Sequence, residues 1–139
     1  GRGGRLLKDK WAEGPKAYLG LCAEGFPNMY VITGPGSPSV LTNMMVAIEQ
    51  HVNFIADTMV HMRDHQQTRI EAQLAAEEPW VAHVSELGHM TLFTAGANWY
   101  FGDNIPGKPR VFLPHVDWVG YVEKCEEVVE KNYEGFSLV

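Results

Sequence analysis

The sequence predicts an α/β fold class in which one short strand leads through a glycine-rich turn into a long helix. The apolar run at positions 29–33 has the composition of a buried strand. The next six residues read Gly-Pro-Gly-Ser-Pro-Ser, and glycine and proline are typical of turns. From Leu41 onward, apolar residues recur every three or four positions, which is the helical period. Such a unit can hold a phosphate or a flat cofactor at the helix N-terminus, although an ordinary strand-to-helix turn has the same pattern.

The residues before this unit predict short, irregular elements. Positions 6–11 indicate a brief helix or turn that stops at Gly14 and Pro15. Positions 17–21 have the character of a short extended segment. Gly25-Phe26-Pro27-Asn28 is typical of a turn, because these residue types adopt or fix turn backbone angles.

The longest predicted element is a helix over 42–63. Its apolar positions, expected to face the core, are Leu41, Met44 or Met45, Ile48, Val52, Ile55, Met59 and Met62. Arg63 near its end suits the negative C-terminal end of the helix dipole.

The second half of the chain predicts two more helices around an aromatic loop. A helix over 75–89 would bury Trp80, Val81, Val84 and Leu87, with Pro79 confined to its first turn. A helix over 118–132 would bury Trp118, Val122, Cys125 and Val129. Between them, a loop over 95–109 precedes a short strand over 110–113, and an extended piece over 135–138 ends the chain.

The composition argues against a nucleic-acid-binding, a membrane-spanning or a secreted protein. The net charge of -6 argues against nucleic acid as a partner, because phosphate binding requires clustered basic residues. No apolar run is long enough to span a membrane, and the N-terminus does not resemble a signal peptide. The two cysteines, Cys22 and Cys125, form no CxxC pair, so a reducing, cytoplasmic location is expected. The absence of an initiator methionine leads us to expect a piece of a longer protein.

No local motif predicts a metal site or a nucleophile. His61 and His65 share a helix face, but the glutamate of an HExxH motif is replaced by Met62. His51 and His115 are isolated in the sequence. Ser37 and Ser39 lack the GxSxG frame of a hydrolase, and the glycine-rich turn lacks the Gly-Lys pair of a phosphate-binding P-loop. The glutamate-rich stretches fit solvated helix faces.

Trp99 is the candidate binding residue that chemistry alone supports best. It opens a run of three aromatic residues in a loop, where polar residues are the norm. An indole offers a flat face and one N–H donor, which suit contact with a ring or a ribose phosphate. The alternative is a tryptophan packed beneath a lid.

Seven segments, spread in order over nearly the whole chain, resemble one family. They are Trp11 with Gly14-Pro15 and Tyr18-Leu19-Gly20; Gly25-Phe26-Pro27-Asn28-Met29; Gly34-Pro35-Gly36-Ser37-Pro38-Ser39 with Leu41-Thr42-Asn43-Met44; Ile48-Glu49-Gln50; Thr91-Leu92-Phe93; Trp99-Tyr100-Phe101-Gly102 with Asn104-Ile105-Pro106-Gly107-Lys108; and Tyr133-Glu134-Gly135-Phe136. Together they resemble the C-terminal part of flavin-dependent Baeyer–Villiger monooxygenases.

The resemblance implies the last strand and long helix of a Rossmann-like FAD-binding domain, followed by a mainly helical C-terminal layer. Residues 1–24 would return from an NADP domain, residues 25–64 would form the strand, turn and helix at the flavin, and residues 65–139 would form the helical layer. A mobile loop is expected near 95–109. Neither dinucleotide fingerprint nor any catalytic residue is expected within this chain; both would lie upstream, so the chain alone would be inactive.

The resemblance also implies a reaction and its binding residues. The enzyme would use FAD, NADPH and O2 to convert a ketone into an ester or lactone, together with the remaining FAD and NADP domains of the same protein. The implied flavin-binding residues are Gly34, Pro35, Thr42, Asn43 and Met44. The implied NADP contact is Trp99, and the implied substrate-pocket residues are Ser39, Val40 and Leu41.

The chain departs from the family pattern at one place, and two alternative functions fit it. The family pattern after position 114 usually carries a tyrosine-like residue and a Gly-Gly pair, whereas this chain has His115-Val116-Asp117-Trp118. The local backbone path is therefore expected to differ. Oxygenation at nitrogen or sulfur is an alternative reaction, and a non-catalytic helical binding or structural module is an alternative of another class.

Overall fold

The computed structural model describes residues 1–139, which form four α-helices and one small sheet. The helices are α1 (Leu7–Lys10), α2 (Met44–Asp64), α3 (Leu74–His89) and α4 (Trp118–Glu130). Strands β1 (Ile70–Ala72) and β2 (Phe136–Leu138) pair antiparallel, with Ile70 opposite Leu138. Short 3-10 turns occupy Arg2–Gly4, Leu92–Ala95 and Trp99–Phe101. The α/β class is confirmed at this coarse level. None of the helices is both long and apolar enough to cross a membrane.

The three long helices lie where the sequence predicts them. Helix α2 begins after Asn43, whose side-chain Oδ1 accepts a hydrogen bond from the N–H of Met45 at 3.0 Å. This capping satisfies one of the free N–H groups at the helix start. The placement of Pro79 in the first turn of α3 is wrong, because it is the sixth residue of that helix. The carbonyl group that loses its donor belongs to Ala75, which is exposed and can bind water instead.

The predicted strands over 29–33 and 110–113 do not form within this chain. A strand requires a neighbour along its length, whereas Val31 donates a single hydrogen bond to Leu21 and the backbone turns at Thr33 (φ 55°). The N–H groups of Val111 and Leu113 likewise bond to the carbonyls of the Trp99–Phe101 turn. Neither segment has a strand partner along its length, so the predicted last strand of a sheet does not form here.

The expected extended segment over 17–21 is instead a tight turn. Leu19 and Gly20 both have positive φ, at 54° and 68°, and the N–H of Tyr18 donates to the carbonyl of Cys22 at 2.7 Å. Two consecutive positive φ angles are typical of a type I′ turn. The turn is fully buried beneath the glycine-rich segment.

Helix α2 buries a face about a quarter turn away from the stripe that its apolar pattern predicts, and Ile55 and Met62 of that stripe still pack partly buried against the core. Its buried residues are Ala47, His51, Phe54 and Thr58. Its exposed apolar residues are Met44, Met45, Val46, Val52, Met59 and Val60. The hydroxyl of Thr58 can be buried because it donates to the Phe54 carbonyl at 2.7 Å. The outward row is therefore a long apolar strip that this chain leaves uncovered.

A buried ionic network joins α1 to α3. The Nζ of Lys10 lies 2.6 Å from a carboxylate oxygen of Glu77 and 3.1 Å from one of Glu24, and the Lys10 and Glu77 side chains are 4 % and 1 % exposed. The other oxygen of Glu77 accepts the N–H of Glu24 at 3.1 Å. Glu71 similarly accepts the N–H of Gly25 and pairs with Arg2 at 2.8 Å. These bonds fix the N-terminal segment against α3 and β1.

Candidate functional site

The first half of the glycine-rich turn, residues 34–38, is fixed to the core of the chain. The N–H of Gly36 donates to the Leu113 carbonyl at 2.6 Å, and the Gly36 carbonyl accepts from the Trp80 indole N–H at 3.2 Å. The N–H of His115 donates to the Ser37 carbonyl at 2.9 Å. Two distant segments, residues 113–115 and helix α3, therefore hold this half of the turn in place.

Gly34 and Gly20 allow the two turns to touch. A methyl group on Gly34 would lie 2.4 Å from the Gly20 carbonyl oxygen and 3.1 Å from the Val31 side chain. One on Gly20 would lie 2.4–2.8 Å from Ser37. The Ser37 hydroxyl closes the contact by donating to the Gly34 carbonyl at 2.7 Å. Backbone packing within this chain is thus sufficient to require glycine at position 34.

The second half of the turn, residues 39–44, forms an exposed edge. Ser39 and Val40 are half-buried, while Leu41 and Met44 are 64 % and 41 % exposed. The buried hydroxyl of Thr42 has no hydrogen-bond partner. Together with the N-terminal N–H groups of α2, it provides donors beside an apolar edge. A flat ring system with carbonyl groups matches this donor set, so these residues fit a flavin.

Trp99 lies outside the turn, on the loop between α3 and α4, and is 64 % exposed. Its indole ring contacts Tyr100, with ring centroids 4.2 Å apart, while Phe101 is buried. Backbone hydrogen bonds connect this loop to the turn through one residue, because Leu113 donates to the Tyr100 carbonyl and accepts from Gly36. The Trp99 indole is therefore exposed and not packed beneath a lid within this chain, and its role in binding stays a prediction.

His51 and His115, isolated in the sequence, come together on either side of Tyr121. Their ring centroids lie 5.7 and 5.5 Å from that of Tyr121. The Nδ1 of His51 accepts the N–H of Thr33, and the Nδ1 of His115 accepts the N–H of Asp117. Each neutral imidazole therefore carries its proton on Nε2, which is buried without a partner. Burial lowers the pKa of both histidines from 6.5 to about 4.

Because the pKa of both histidines is lowered in the folded chain, we expect the free energy of unfolding to fall at mildly acidic pH. Between pH 6.5 and about 4 the unfolded chain binds protons that the folded chain excludes, so stability is complete above this range and falls as the pH is lowered through it. Replacing both histidines (His51→Asn, His115→Asn) is expected to flatten the slope of stability against pH, as measured by urea unfolding at a series of pH values. The exposed His65→Gln is the control, and an unchanged slope in the double variant would contradict the prediction.

The other histidine pair has no binding geometry. His61 and His65 stack with centroids 4.0 Å apart at the end of α2, and the Nδ1 of His65 bonds to the His61 carbonyl. No group of three histidine, cysteine, aspartate or glutamate side chains is arranged to hold a metal ion.

Three residues that shape the turn were not predicted to do so from the sequence. Gly20 supplies the close contact with Ser37, Trp80 holds Gly36, and Leu113 links the turn to the Trp99 loop. Only Gly20 carried a local signal, since a glycine after Tyr18-Leu19 is a typical turn residue. The contacts of Trp80 and Leu113 depend on tertiary packing.

Comparison with known proteins identifies relatives along the whole chain, although no family model matches it. An acetone monooxygenase (methyl acetate-forming) from Gordonia sp. (strain TY-5) is 39 % identical over 140 residues, covering 99 % of this chain and 26 % of the relative. The phenazine N-monooxygenase PhzNO1 from Lysobacter antibioticus is 37 % identical, covering 99 % of this chain and 25 % of the relative. The crystal structure of an OTEMO complex with FAD and NADP superposes with a TM-score of 0.90 at 34 % identity, covering 100 % of this chain and 25 % of that one. The chain thus spans about a quarter of the length of the proteins it matches.

Proposed function

We propose that this chain forms one wall of the active site of an FAD- and NADPH-dependent monooxygenase. Over its whole length it is homologous to a segment that makes up about a quarter of each Baeyer–Villiger monooxygenase it matches. The enzyme inserts one oxygen atom of O2 next to a ketone carbonyl and yields an ester or lactone. The observation that carries the proposal is the similarity, along the whole of this chain, to an acetone monooxygenase (methyl acetate-forming).

The uncovered strip of α2 supports a place within a larger protein. Its outward residues include Met45 and Met59, which are 71 % and 61 % exposed. An apolar strip of this length fits an interface with further domains. We propose that residues 1–24 return from the NADP domain, that 25–64 complete the FAD domain, with 29–33 as its last strand and α2 as the following helix, and that 65–139 form the outer helical layer.

The exposed edge of the glycine-rich turn is proposed to face the flavin. When bound, FAD would supply the redox chemistry that activates O2 with electrons from NADPH. The hydroxyl of Thr42 and the backbone N–H groups near Asn43 and Met44 would donate to the ring, while Gly34 and Pro35 would shape the approach. The N-terminus of α2 favours negative charge at this point. Ser39, Val40 and Leu41 would provide a largely apolar surface for the ketone.

Trp99 is proposed to contact NADP(H) through the exposed face of its indole. Replacing it by alanine (Trp99→Ala) removes a stacking surface and is expected to raise the KM for NADPH about three- to tenfold with a smaller change in kcat, since such contacts contribute about 0.5–1.5 kcal/mol. The measurement is NADPH consumption by the whole protein with a panel of ketones. Leu92→Ala, at a residue 91 % exposed, is the matched control. No NADPH consumption with any ketone would overturn the proposed function.

Oxygenation at nitrogen is the second candidate, because the phenazine N-monooxygenase is nearly as similar as the ketone enzyme. Product analysis decides between them: an ester or lactone from a ketone supports the first, and an N-oxide from a heteroaromatic substrate supports the second. A non-catalytic module would bind neither cofactor.

Both cysteines are free and buried, which supports a reducing, cytoplasmic location.

A further inference from the structure

The Trp99 loop is closed by a clasp between Asp103 and Arg110, two residues that the proposed function does not use. The guanidinium group makes two hydrogen bonds to the carboxylate, from Nε to Oδ1 at 2.8 Å and from Nη2 to Oδ2 at 3.1 Å. This paired geometry is stronger and more directional than a single contact. The Asp103 side chain is only 16 % exposed, compared with 51 % for Arg110.

Both partners of the clasp also hold the backbone on the other side of Trp99. The Oδ2 of Asp103 accepts the N–H of Asn98 at 2.7 Å, and Nη2 of Arg110 donates to the Gly96 carbonyl at 3.2 Å. The guanidinium group lies 4.6 Å from the centre of the Phe101 ring, within range of a cation–π interaction. The hydrogen bond from Asn98 and those from Arg110 keep the pKa of Asp103 below its ordinary value.

Asn98 completes the support directly before Trp99. Its Oδ1 accepts the N–H of Tyr100 at 2.9 Å, and its Nδ2 donates to the Phe93 carbonyl at 2.6 Å. The backbone on both sides of Trp99 is therefore held by side chains, while the indole itself is left exposed. An exposed aromatic residue on a fixed backbone loses little conformational freedom on binding, which is the advantage of a preorganised contact.

We propose that Asp103 and Arg110 are positioning residues that fix the loop over 96–110 and hold the Trp99 indole ready for a nicotinamide dinucleotide. This inference rests on the proposed role of Trp99, and it adds that binding depends on a clasp that never touches the ligand. Phe101 and Phe112 anchor the base of the loop in the core, so opening the clasp frees the part that carries Trp99.

The test uses the whole protein and the variant Asp103→Asn, which keeps the shape of the side chain but removes its charge. The matched control is Asp64→Asn, because Asp64 forms an exposed pair with Arg63 at 2.8 Å outside the loop. Chymotrypsin cleaves after aromatic residues, so the rate of cleavage after Trp99, Tyr100 or Phe101 reports on opening of the loop. We expect Asp103→Asn to accelerate this cleavage about fivefold and to raise the KM for NADPH by a similar factor, with kcat within about twofold of the wild type.

Two further measurements distinguish failure of the clasp from failure of the proposed function. Arg110→Lys retains the charge but not the two-point geometry, and it is expected to reproduce the effect of Asp103→Asn in part. Equal cleavage in Asp103→Asn and Asp64→Asn overturns the clasp, and faster cleavage with an unchanged KM overturns its positioning role. If the wild type consumes no NADPH with any of the ketones tested, the proposed function fails. The dissociation constants of NADP+ for the two aspartate variants then decide the inference, with equal values overturning it.

Discussion

Replacing Lys10 by methionine (Lys10→Met) is expected to lower the free energy of unfolding by about 3–5 kcal/mol, because the change leaves a buried carboxylate without its cation. The Lys10 side chain is 4 % exposed and lies 2.6 Å from Glu77, which is 1 % exposed. Methionine has a similar length, so loss of packing contributes little. Of the carboxylates around Lys10, Glu24 has further partners in Arg2 and Arg5, whereas Glu77 has no other cation.

A double-mutant cycle separates the effect of the unpaired charge from other effects of the substitutions on stability. The second variant, Glu77→Gln, retains an oxygen that can accept the N–H of Glu24. The pair Lys10→Met with Glu77→Gln is expected to recover much of the loss, since a buried ion pair contributes little net stability compared with neutral groups of similar shape. Urea unfolding of the whole protein, followed by tryptophan fluorescence, provides the measurement.

Lys8→Met on the same short helix is the control, because Lys8 is exposed and is expected to change stability by less than about 0.5 kcal/mol. Similar small losses for Lys8→Met and Lys10→Met would show that the network between α1 and α3 does not hold the N-terminal segment in place.

The helices were predictable because their signals are local. Asn43 caps α2, and the periodic apolar residues of α3 and α4 fix helix type without knowledge of any partner. The orientation of α2 was not predictable from the same pattern. Both of its sides carry apolar residues. The side with His51 and Thr58 packs inward, where the Thr58 hydroxyl bonds to the Phe54 carbonyl and Nδ1 of His51 accepts the N–H of Thr33, while Nε2 of His51 stays unpaired. A hydropathy pattern contains no information on such bonds.

The strand predictions were wrong for a different reason. The apolar residues over 29–33 have strand composition, but strand formation depends on neighbours, and this chain supplies none beyond one bond from Val31 to Leu21. Conversely, β1 and β2 are three residues each, and their pairing joins positions 64 to 68 residues apart. The site itself was predicted as a turn, but its dependence on Gly20, Trp80 and Leu113 arises from contacts between distant segments.

Replacing Gly34 by alanine (Gly34→Ala) is expected to weaken FAD binding by about tenfold or more and to destabilise the protein by about 1–3 kcal/mol. The new methyl group would lie 2.4 Å from the Gly20 carbonyl oxygen, and Gly20 cannot retreat because its own Cα faces Ser37. The turn must therefore move outward, which displaces the edge containing Thr42 and Asn43. The measurements are the flavin content of the purified whole protein and its thermal unfolding temperature.

Gly96→Ala is the matched control, since a methyl group there meets no atom within 4 Å and the backbone is extended (φ -162°). A second, milder variant, Ser37→Ala, removes the 2.7 Å bond to the Gly34 carbonyl without adding bulk. It keeps the prediction testable if Gly34→Ala fails to fold, and it is expected to lower flavin affinity less. Full flavin content in both variants would mean that the exposed edge does not touch the cofactor, because a turn held at one end by Gly34 cannot shift without moving the residues that follow it.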